Sequence, residues 1–178
     1  MNKVKAPTYQ EDAVFERLTE PENPRGFFLE VVDMLEDGVD QLMRRAFRQE
    51  EYAVKYAIEP LLNRQGPLSE LTVRLKLMLA LGMFSLETYQ DLELCIKLRD
   101  WLSDDIRNYR FSDEALFTRL KRLHCFQSLG IPELPTLAAD DDKLLYQMQL
   151  DRQDQVIRSA LLLSIATIVQ ELGKESPI

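Results

Sequence analysis

Turn-forming residues are scarce in this chain, whose 178 residues include only six glycines and eight prolines. A sandwich or barrel of short strands needs a turn about every eight to twelve residues, which this composition does not supply. No stretch of any length alternates apolar and polar residues as a half-buried strand does. These absences exclude an all-β fold and favour an all-helical one.

Residues suited to catalysis or metal binding are also rare, since the chain has one histidine, His124, and two cysteines, Cys95 and Cys125. A nucleophilic Cys–His pair needs facing side chains, whereas the adjacent residues His124 and Cys125 would point about 100° apart on a helix. The tract Asp140–Asp142 lacks the glycine and distal glutamate of a calcium loop, and helix capping explains it more simply. No zinc-ligand spacing, phosphate loop, dinucleotide fingerprint or catalytic carboxylate pair occurs. We therefore predict a protein that is not an enzyme and that has no catalytic residues, metal site or cofactor.

Positive charge is in the minority, with 22 lysines and arginines against 30 acidic residues and a formal net charge of −8. An acidic protein is repelled by nucleic acid and by anionic membranes, and it suits basic protein partners. The N-terminal sequence has no apolar signal core, and the longest uncharged runs, 77–86 and 159–170, fall short of the roughly 20 residues that span a bilayer. We predict a cytoplasmic protein with reduced thiols and no membrane partner, and the sequence does not indicate its oligomeric state.

Apolar residues recur with a helical period along most of the chain, which predicts a multi-helix bundle of about seven to eight helices. The expected helices cover residues 11–19, 25–49, 51–62, 67–82, 86–102, 113–126 and about 140–172, with a proline-containing connector at 127–139. The helix at 67–82 is apolar on almost every side, so we expect it to be buried near the middle of the bundle. Residues 1–24 are predicted to form an N-terminal tail with a short helix, and residues 25–178 a single all-helical domain.

Proline, glycine and serine mark the expected helix ends. Pro60 is expected either to kink its helix or to begin a new short one. Gly66 is expected to adopt the left-handed C-cap conformation, with Pro67 opening the next helix and Gly82 ending it. Two serines are expected to act as later N-caps, Ser85 and Ser112.

Two basic residues, Arg74 and Lys76, interrupt the most apolar of these helices. Arg74 is able to pair on the surface with Glu70, one turn earlier on the same helix. A second possibility places Arg74 against Glu59 beneath the Gly66-Pro67 corner, since a buried guanidinium requires a carboxylate partner. Both pairings remain open at the level of the sequence.

A helix-turn-helix reading is available for Leu75–Ile96, with Gly82 in the turn, but the sequence disfavours it. Its second helix begins with acidic residues, which phosphates repel. Thr88 and Asp91 also stand where apolar packing residues are expected. Positive charge near a helix C-terminus is usually explained by the helix dipole. Two basic clusters nevertheless remain as candidate DNA contacts: Arg44, Arg45 and Arg48 in one, and Arg119, Lys121 and Arg122 in the other.

Three strings in the middle of the chain are distinctive. They are YAVKYAIEPLL at 52–62, GPLSELTVRLKLMLALG at 66–82 and YQDLEL at 89–94. Together they resemble the mannitol operon repressor family of bacteria, closely over 52–98 and more loosely over 113–125 and 146–164. Leu79 and Ala80 stand where the family pattern would have an aromatic residue and a glycine, a change that preserves apolar packing.

The resemblance implies an all-helical regulator that lowers expression of the genes for mannitol uptake and oxidation. It also implies a set of motif residues with structural or partner-contacting roles: Glu59, Pro60, Gly66, Pro67, Arg74, Lys76 and Gly82. The family is similar in genetic context to sugar phosphotransferase systems, which implies contact with a phosphocarrier protein or with another regulator. Because the chain is acidic, we expect regulation mainly through protein–protein contacts and not through a standard DNA-binding motif.

Two other functions remain open. The first is direct operator binding through Arg44, Arg45 and Arg48, which predicts a steep fall of affinity with salt. The second is a sensor for mannitol or its phosphate, which a ligand-induced rise in thermal stability would reveal.

Overall fold

The computed structural model describes residues 11–47, 52, 56–57, 59–63, 65–138 and 142–174, and over these residues it contains helices and no strand. The helices are α1 (Glu11–Thr19), α2 (Pro24–Ala46), α3 (Glu59–Leu62), α4 (Leu71–Ala80), α5 (Leu86–Asp104), α6 (Glu114–Leu120), α7 (His124–Gln127) and α8 (Lys143–Gly173). The prediction of an all-α bundle of seven to eight helices is confirmed.

The long helix α2 lies at the centre of the bundle and packs against α1, α4, α5 and α8. Its start is set by Asn23, whose side chain accepts a hydrogen bond from the backbone N–H of Gly26 at 2.9 Å. Pro24, predicted to belong to the N-terminal segment, is instead in the first turn of α2, where its missing N–H is not needed. Its apolar stripe is fully buried and supplies much of the core: Phe27, Phe28, Val31, Val32, Met34, Leu35, Val39, Leu42 and Met43.

Helix α4 is shorter and more peripheral than the sequence predicts. Only Arg74, Leu75 and Met78 of this helix are buried. Val73 is 38% exposed, and Leu81, which follows the last residue of the helix, is 44% exposed. The expectation of a buried central helix at 67–82 is therefore wrong. One face of α4 packs against α2 and α5, and its other apolar residues lie at the surface, where apolar atoms are common in folded proteins.

The corner before α4 also differs from the prediction. Pro60 is the second residue of the short helix α3, and the residue before that helix, Ile58, lies outside the described residues. Gly66 does not adopt the left-handed conformation. Instead the chain passes so close to α3 that a Cβ at Gly66 would overlap the carbonyl oxygens of Pro60 and Leu61. Glycine is needed here for close backbone approach.

The two ends of α4 give one wrong and one confirmed prediction. Pro67 does not open the helix, because residues 67–70 are not helical and α4 begins at Leu71 with Glu70 in the N-cap position. Gly82 does end the helix, and its φ of 70° is a conformation that side-chain-bearing residues rarely adopt. Ser85 then caps α5 as expected, accepting a hydrogen bond from the backbone N–H of Thr88 at 3.1 Å.

The predicted helix at 113–126 is two helices, α6 and α7, separated by a turn at 121–123. Ser112 is not the N-cap of α6, since Asp113 holds that position. Ser112 instead donates to Asp154 of α8, from its backbone N–H at 2.8 Å and from its hydroxyl at 3.0 Å. A tertiary contact to α8 has thus replaced the local cap, which sequence reasoning does not foresee.

Helix α8 begins at a cap formed by Asp142, whose carboxylate accepts a hydrogen bond from the N–H of Leu144 at 2.8 Å. Asp140 and Asp141 lie outside the described residues. By length and composition α8 is apolar enough to cross a bilayer, but half of its most apolar 18-residue window is buried inside the protein. That burial is typical of a core helix. The first turns of α8 are more open, with Leu144 70% and Met148 61% exposed.

Candidate functional site

Arg74, one of the two basic residues among the family-like motif residues, is 4% exposed and pairs with two carboxylates of α2. Its guanidinium donates to Glu36 and Asp40, and one of its nitrogens also donates to the carbonyl of Ser69 at 3.3 Å. The side chains of Glu36 and Asp40 remain 43% and 38% exposed. Neither partner considered from the sequence, Glu70 or Glu59, is the one observed.

The face of α2 that carries these carboxylates is strongly acidic. Partial burial raises the pKa of Asp37, and the neighbouring carboxylates of Asp40, Asp33 and Glu36 raise it further, although Arg17 acts in the opposite direction. Burial is the largest cause of the raised pKa, and repulsion among the four carboxylates on this part of α2 adds to it. This face would repel a phosphate backbone.

Asp91 organises a second polar centre, between α5 and α7. It is 3% exposed and accepts hydrogen bonds from the backbone N–H groups of His124 and Cys125, at 2.8 and 3.0 Å. A third bond, 2.9 Å long, joins it to Nδ1 of the His124 ring. Asp91 therefore caps the first turn of α7 from another helix and holds its only histidine. Buried Thr88 is satisfied in a similar way, by a 2.8 Å hydrogen bond to Glu171 of α8.

These bonds explain why polar residues occupy positions where the helix-turn-helix reading expected apolar ones. Thr88 and Asp91 do face inward, but each is fully hydrogen-bonded to another helix. The helix that the helix-turn-helix reading would place in a DNA groove is α5. In the structure α5 packs against α2, α4 and α7. Asp91 is the site residue that sequence reasoning missed, and the signal was an acidic residue on the inward face of a helix.

The two thiols lie near this centre, in states that oppose nucleophilic chemistry. Burial raises the pKa of Cys125 to about 12, and the charge of Asp91 and a hydrogen bond to it act in the same direction. Burial also raises the pKa of Cys95 well above its ordinary value. Because the thiolate is the reactive form, both residues are held as thiols. Among the described residues, no group of three or more His, Cys, Asp or Glu side chains is placed to hold a metal ion.

Three arginines cap the C-terminal ends of helices to which they do not belong. Arg25 of α2 donates to the carbonyl of Leu102, at the end of α5, at 2.8 Å. Arg158 of α8 donates to the carbonyl of Thr19, the last residue of α1, at 2.7 Å. Arg45 of α2 donates to the carbonyl of Gly173, the last residue of α8, at 2.9 Å. Each bond satisfies a carbonyl that the helix leaves unpaired and places positive charge at the negative end of the dipole.

This capping bears on the candidate DNA contacts. Arg45 points its guanidinium at α8, Arg44 is exposed, and Arg48 lies outside the described residues. In the second cluster, Arg119 stacks over the Trp101 ring, 4.0 Å from its centroid, and Lys121 pairs with Glu133 at 3.0 Å. Most of the described basic side chains named as DNA candidates are thus committed to intramolecular contacts. Of the other motif residues, Lys76 and Glu59 are exposed.

Two open pockets flank α8. One, of about 440 Å³, is lined by residues of α6, the connector and α8, and its cations are paired. Arg110 bonds Asp151 at 2.6 Å, and Lys121 bonds Glu133. The other, of about 510 Å³, is more apolar and includes Leu129, Val156 and Leu163. Neither pocket contains His124.

A family model described as "Mannitol repressor" matches residues 10–173. The chain belongs to the mannitol repressor family. One member, the mannitol operon repressor of Escherichia coli K12, is 38% identical over 163 residues, which are 92% of this chain and 82% of that protein. Membership thus extends well beyond the strings that carried the resemblance, to α1 and through the connector to α8.

Two further matches bear on the function of members of the mannitol repressor family. The structure of the E. coli MtlR–HPr complex contains a chain that is 37% identical, with a TM-score of 0.85, over 92% of this chain and 98% of that one. A more distant relative bears an enzyme's name: Fumarase E of E. coli K12 is 25% identical over 168 residues, 93% of this chain and 98% of that protein.

Proposed function

We propose that this protein regulates the mannitol operon by binding other proteins, and that one partner is a phosphocarrier protein like HPr. The observation that carries the proposal is the likeness, over 92% of the chain, to a relative whose structure was solved with HPr. Backbones usually change little between free and bound states, so a shared fold preserves the elements on which such a contact is built.

The charge distribution supports a protein partner over nucleic acid. The chain carries a net charge of −8, and α2 presents an acidic face. Arg45 serves as a helix cap, and Arg119 and Lys121 hold an aromatic ring and a carboxylate. A DNA-binding surface needs several uncommitted cations, because each phosphate contact gains energy from counterion release. Direct operator binding is therefore the weaker alternative.

The Fumarase E relative favours a second candidate, the addition of water to a dicarboxylate such as fumarate. Such a site needs a general base and cations in a pocket that excludes water. His124 is held as a base would be, but it lies in neither described pocket. Arg110 and Lys121 of the first pocket are already paired, and the second pocket has Arg152 but no histidine, lysine or carboxylate in its lining. We therefore propose that the protein is a non-enzymatic regulator, and its likeness to a regulator solved with a phosphocarrier supports a cytoplasmic location.

Calorimetric titration with purified HPr and, separately, with mannitol promoter DNA tests the proposal. We expect saturable binding of HPr and no sequence-selective binding of DNA at moderate salt. Absence of HPr binding, together with selective DNA binding by the pure protein, would overturn it. Arg44→Ala provides the matched variant, since it removes an exposed candidate DNA contact without disturbing the cap formed by Arg45.

Incubation of the protein with fumarate, followed through loss of its ultraviolet absorbance, tests the enzymatic candidate. We expect no turnover above the uncatalysed rate. Turnover that His124→Gln removes would replace the regulatory assignment with a hydratase.

A further inference from the structure

We infer that two copies of this protein associate through the outward side of α8, with the two α8 helices packed antiparallel. The inference stands independently of the proposed function, because it concerns a contact of the chain with a second copy of itself. The observation behind it is a row of exposed, almost uncharged side chains along α8, on the side of the helix that faces away from the core.

Helix α8 carries two rows of side chains on opposite sides. One row is buried in the core and includes Ile157, Leu161 and Ile168. The other row is exposed, advances in steps of three and four residues from Met148 to Gln170, and occupies about 100° of the helix circumference. We call it the outer row, and between those two ends it comprises Arg152, Val156, Ser159, Leu163 and Thr167.

The outer row has the composition of a contact surface. Exposed positions of a soluble helix usually carry its charges, yet this row holds one charged residue, Arg152, among seven. Met148 is 61% exposed and Leu163 is 51% exposed. At 1.5 Å per residue the row is about 33 Å long. The core covers one side of α8, and the outer row is suited to being covered by a second helix.

A shallow groove borders the middle of the outer row and provides room for such a helix. It has a volume of about 510 Å³ and lies between α8 and the connector. Its lining includes Leu129 and Ile131 from the connector and Val156 and Leu163 from α8. Helices pack by inserting the side chains of one into the grooves of the other, so this groove is placed to receive side chains of a second α8.

The charge in the outer row favours a second copy as the occupant. Arg152 is exposed, and among the described residues no hydrogen bond or ion pair engages it. Gln170 lies five turns further along the same line of the helix, with Glu171 beside it. Glu171 is 40% exposed, and its carboxylate, which accepts a hydrogen bond from Thr88, can accept further ones. A reversed second copy therefore brings Arg152 of each chain to Gln170 and Glu171 of the other.

The same register matches the outer row to itself. Steps of three and four residues remain steps of three and four when the helix is reversed, as a two-fold contact between identical faces requires. Alignment of Arg152 with Gln170 sets Ser159 of each copy against Leu163 of the other. A large side chain then meets a small one at two places about the axis, which is how helix surfaces interdigitate. Charge and side-chain size thus indicate one antiparallel arrangement.

Sedimentation velocity of the full chain over a series of concentrations tests the inference. We expect a weak dimer with a dissociation constant on the order of tens of micromolar, because the contact is one helix wide and each copy carries a net charge of −8. Leu163→Asp, which places a charge in the contact, should raise that constant roughly tenfold or more. Arg152→Glu, which sets a glutamate beside Glu171 of the other copy, should raise it by a similar factor.

An exposed apolar residue outside α8 gives the matched control. Ile106 is 95% exposed, so Ile106→Asp removes a comparable side chain from the surface and should leave the dissociation constant unchanged. Because Arg152 and Leu163 are exposed as well, all three variants should keep the helix content of the unaltered protein in circular dichroism.

Spin labels report the orientation of the two helices. A label at Lys174→Cys, in a chain that also carries Cys125→Ala, leaves only the fully buried Cys95 as a native thiol. In the antiparallel dimer the two labels should be about 40 Å apart, whereas a parallel pair would bring them to about 10 Å.

The outcomes decide the inference in each case. A protein that stays monomeric up to about 500 µM overturns it, since the expected constant is well below that concentration. A dimer unaffected by both Leu163→Asp and Arg152→Glu also overturns it, and a short distance between the labels rejects the antiparallel arrangement. A monomer whose Leu163→Asp form loses HPr binding would assign the outer row to the phosphocarrier and not to a second copy.

Discussion

Arg74 and Asp40 form an ion pair between α4 and α2 in which the two partners are unequally buried. The side chain of Arg74 is 5% exposed, whereas that of Asp40 is 38% exposed. A cation removed from water depends on its partner, while a hydrated carboxylate can lose its partner with little penalty. The two halves of the pair should therefore respond differently to substitution.

Replacing the arginine should be milder than replacing the carboxylates. We expect Arg74→Met to lower the free energy of unfolding by about 1 kcal/mol, since Glu36 and Asp40 stay hydrated. The double change Glu36→Ala and Asp40→Ala should lower it by about 3 kcal/mol, because it leaves a buried guanidinium without a counter-charge. Urea unfolding of each variant measures both values.

A glutamate that lies outside the cluster gives the control for this comparison. Glu59, the partner considered from the sequence, is exposed, so Glu59→Gln should leave the urea midpoint unchanged. Equal losses in the arginine and the carboxylate variants would contradict the asymmetry.

Asp91 should be among the most sensitive polar positions in the chain. Asp91→Ala removes three hydrogen bonds and leaves the N–H groups of His124 and Cys125 without their acceptor. We expect a loss of about 3 kcal/mol in the free energy of unfolding, roughly 1 kcal/mol for each bond. Glu87→Ala, on the exposed face one turn earlier, should change it by less than about 0.5 kcal/mol. Similar values for the two variants would show that Asp91 does not organise α7.

Arg45 and its neighbour Arg44 offer a matched pair for the capping role. Arg45→Ala should lower the free energy of unfolding by about 1–2 kcal/mol, because it removes a cap and a positive charge from the end of α8. Hydrogen exchange should become faster at the last turn of α8. Arg44→Ala should leave both quantities unchanged. A loss of DNA binding in a variant that lacks Arg45 would thus have to be separated from a loss of helix order.

The thiols give a pH-dependent prediction whose sign follows from their raised pKa values. The folded state keeps Cys125 protonated up to about pH 12, against an ordinary pKa of 9.0 in the unfolded chain. The resulting contribution to stability is fully present below pH 9 and is lost as the pH rises from there toward the folded pKa. Between pH 8 and pH 10.5, the free energy of unfolding measured in urea should fall less steeply for Cys125→Ala than for the unaltered protein.

Reagent access provides the companion measurement. A disulfide reagent at pH 8 should label both cysteines rapidly in urea and slowly in the folded protein, since thiolate is scarce there. Rapid labelling of folded Cys125 would contradict its assigned state.

The sequence predicts the helices well because the core is built from local periodicity. The stripe of α2, the range of α1 and the ends set by Ser85 and Gly82 all follow from patterns within a few residues. The placement of α4 was predicted wrongly because apolar content alone does not say which face finds a partner. That choice depends on which helices lie beside it, which local sequence does not encode.

The hydrogen-bond partners of Arg74 and Asp91 could not be predicted from local sequence either, because they lie on other helices. Arg74 pairs with Asp40 across 34 residues, and Asp91 reaches Cys125 across 34. Sequence reasoning considered partners one turn or one hairpin away, where spacing rules apply. It did identify Arg74, His124 and Cys125 as residues that need an explanation, and it assigned the family correctly.

The three interhelical arginine caps have a consequence for how the bundle opens. A helix ordinarily frays first at its ends, yet here carbonyls in the last turns of α5 and α8 accept hydrogen bonds from arginines of α2, and that of Thr19 in α1 accepts one from α8. Loosening one end would release a side chain rooted elsewhere, so fraying at one place is coupled to the integrity of another. We expect the helices tied together in this way to unfold cooperatively, because the end of each capped helix is anchored to the body of another.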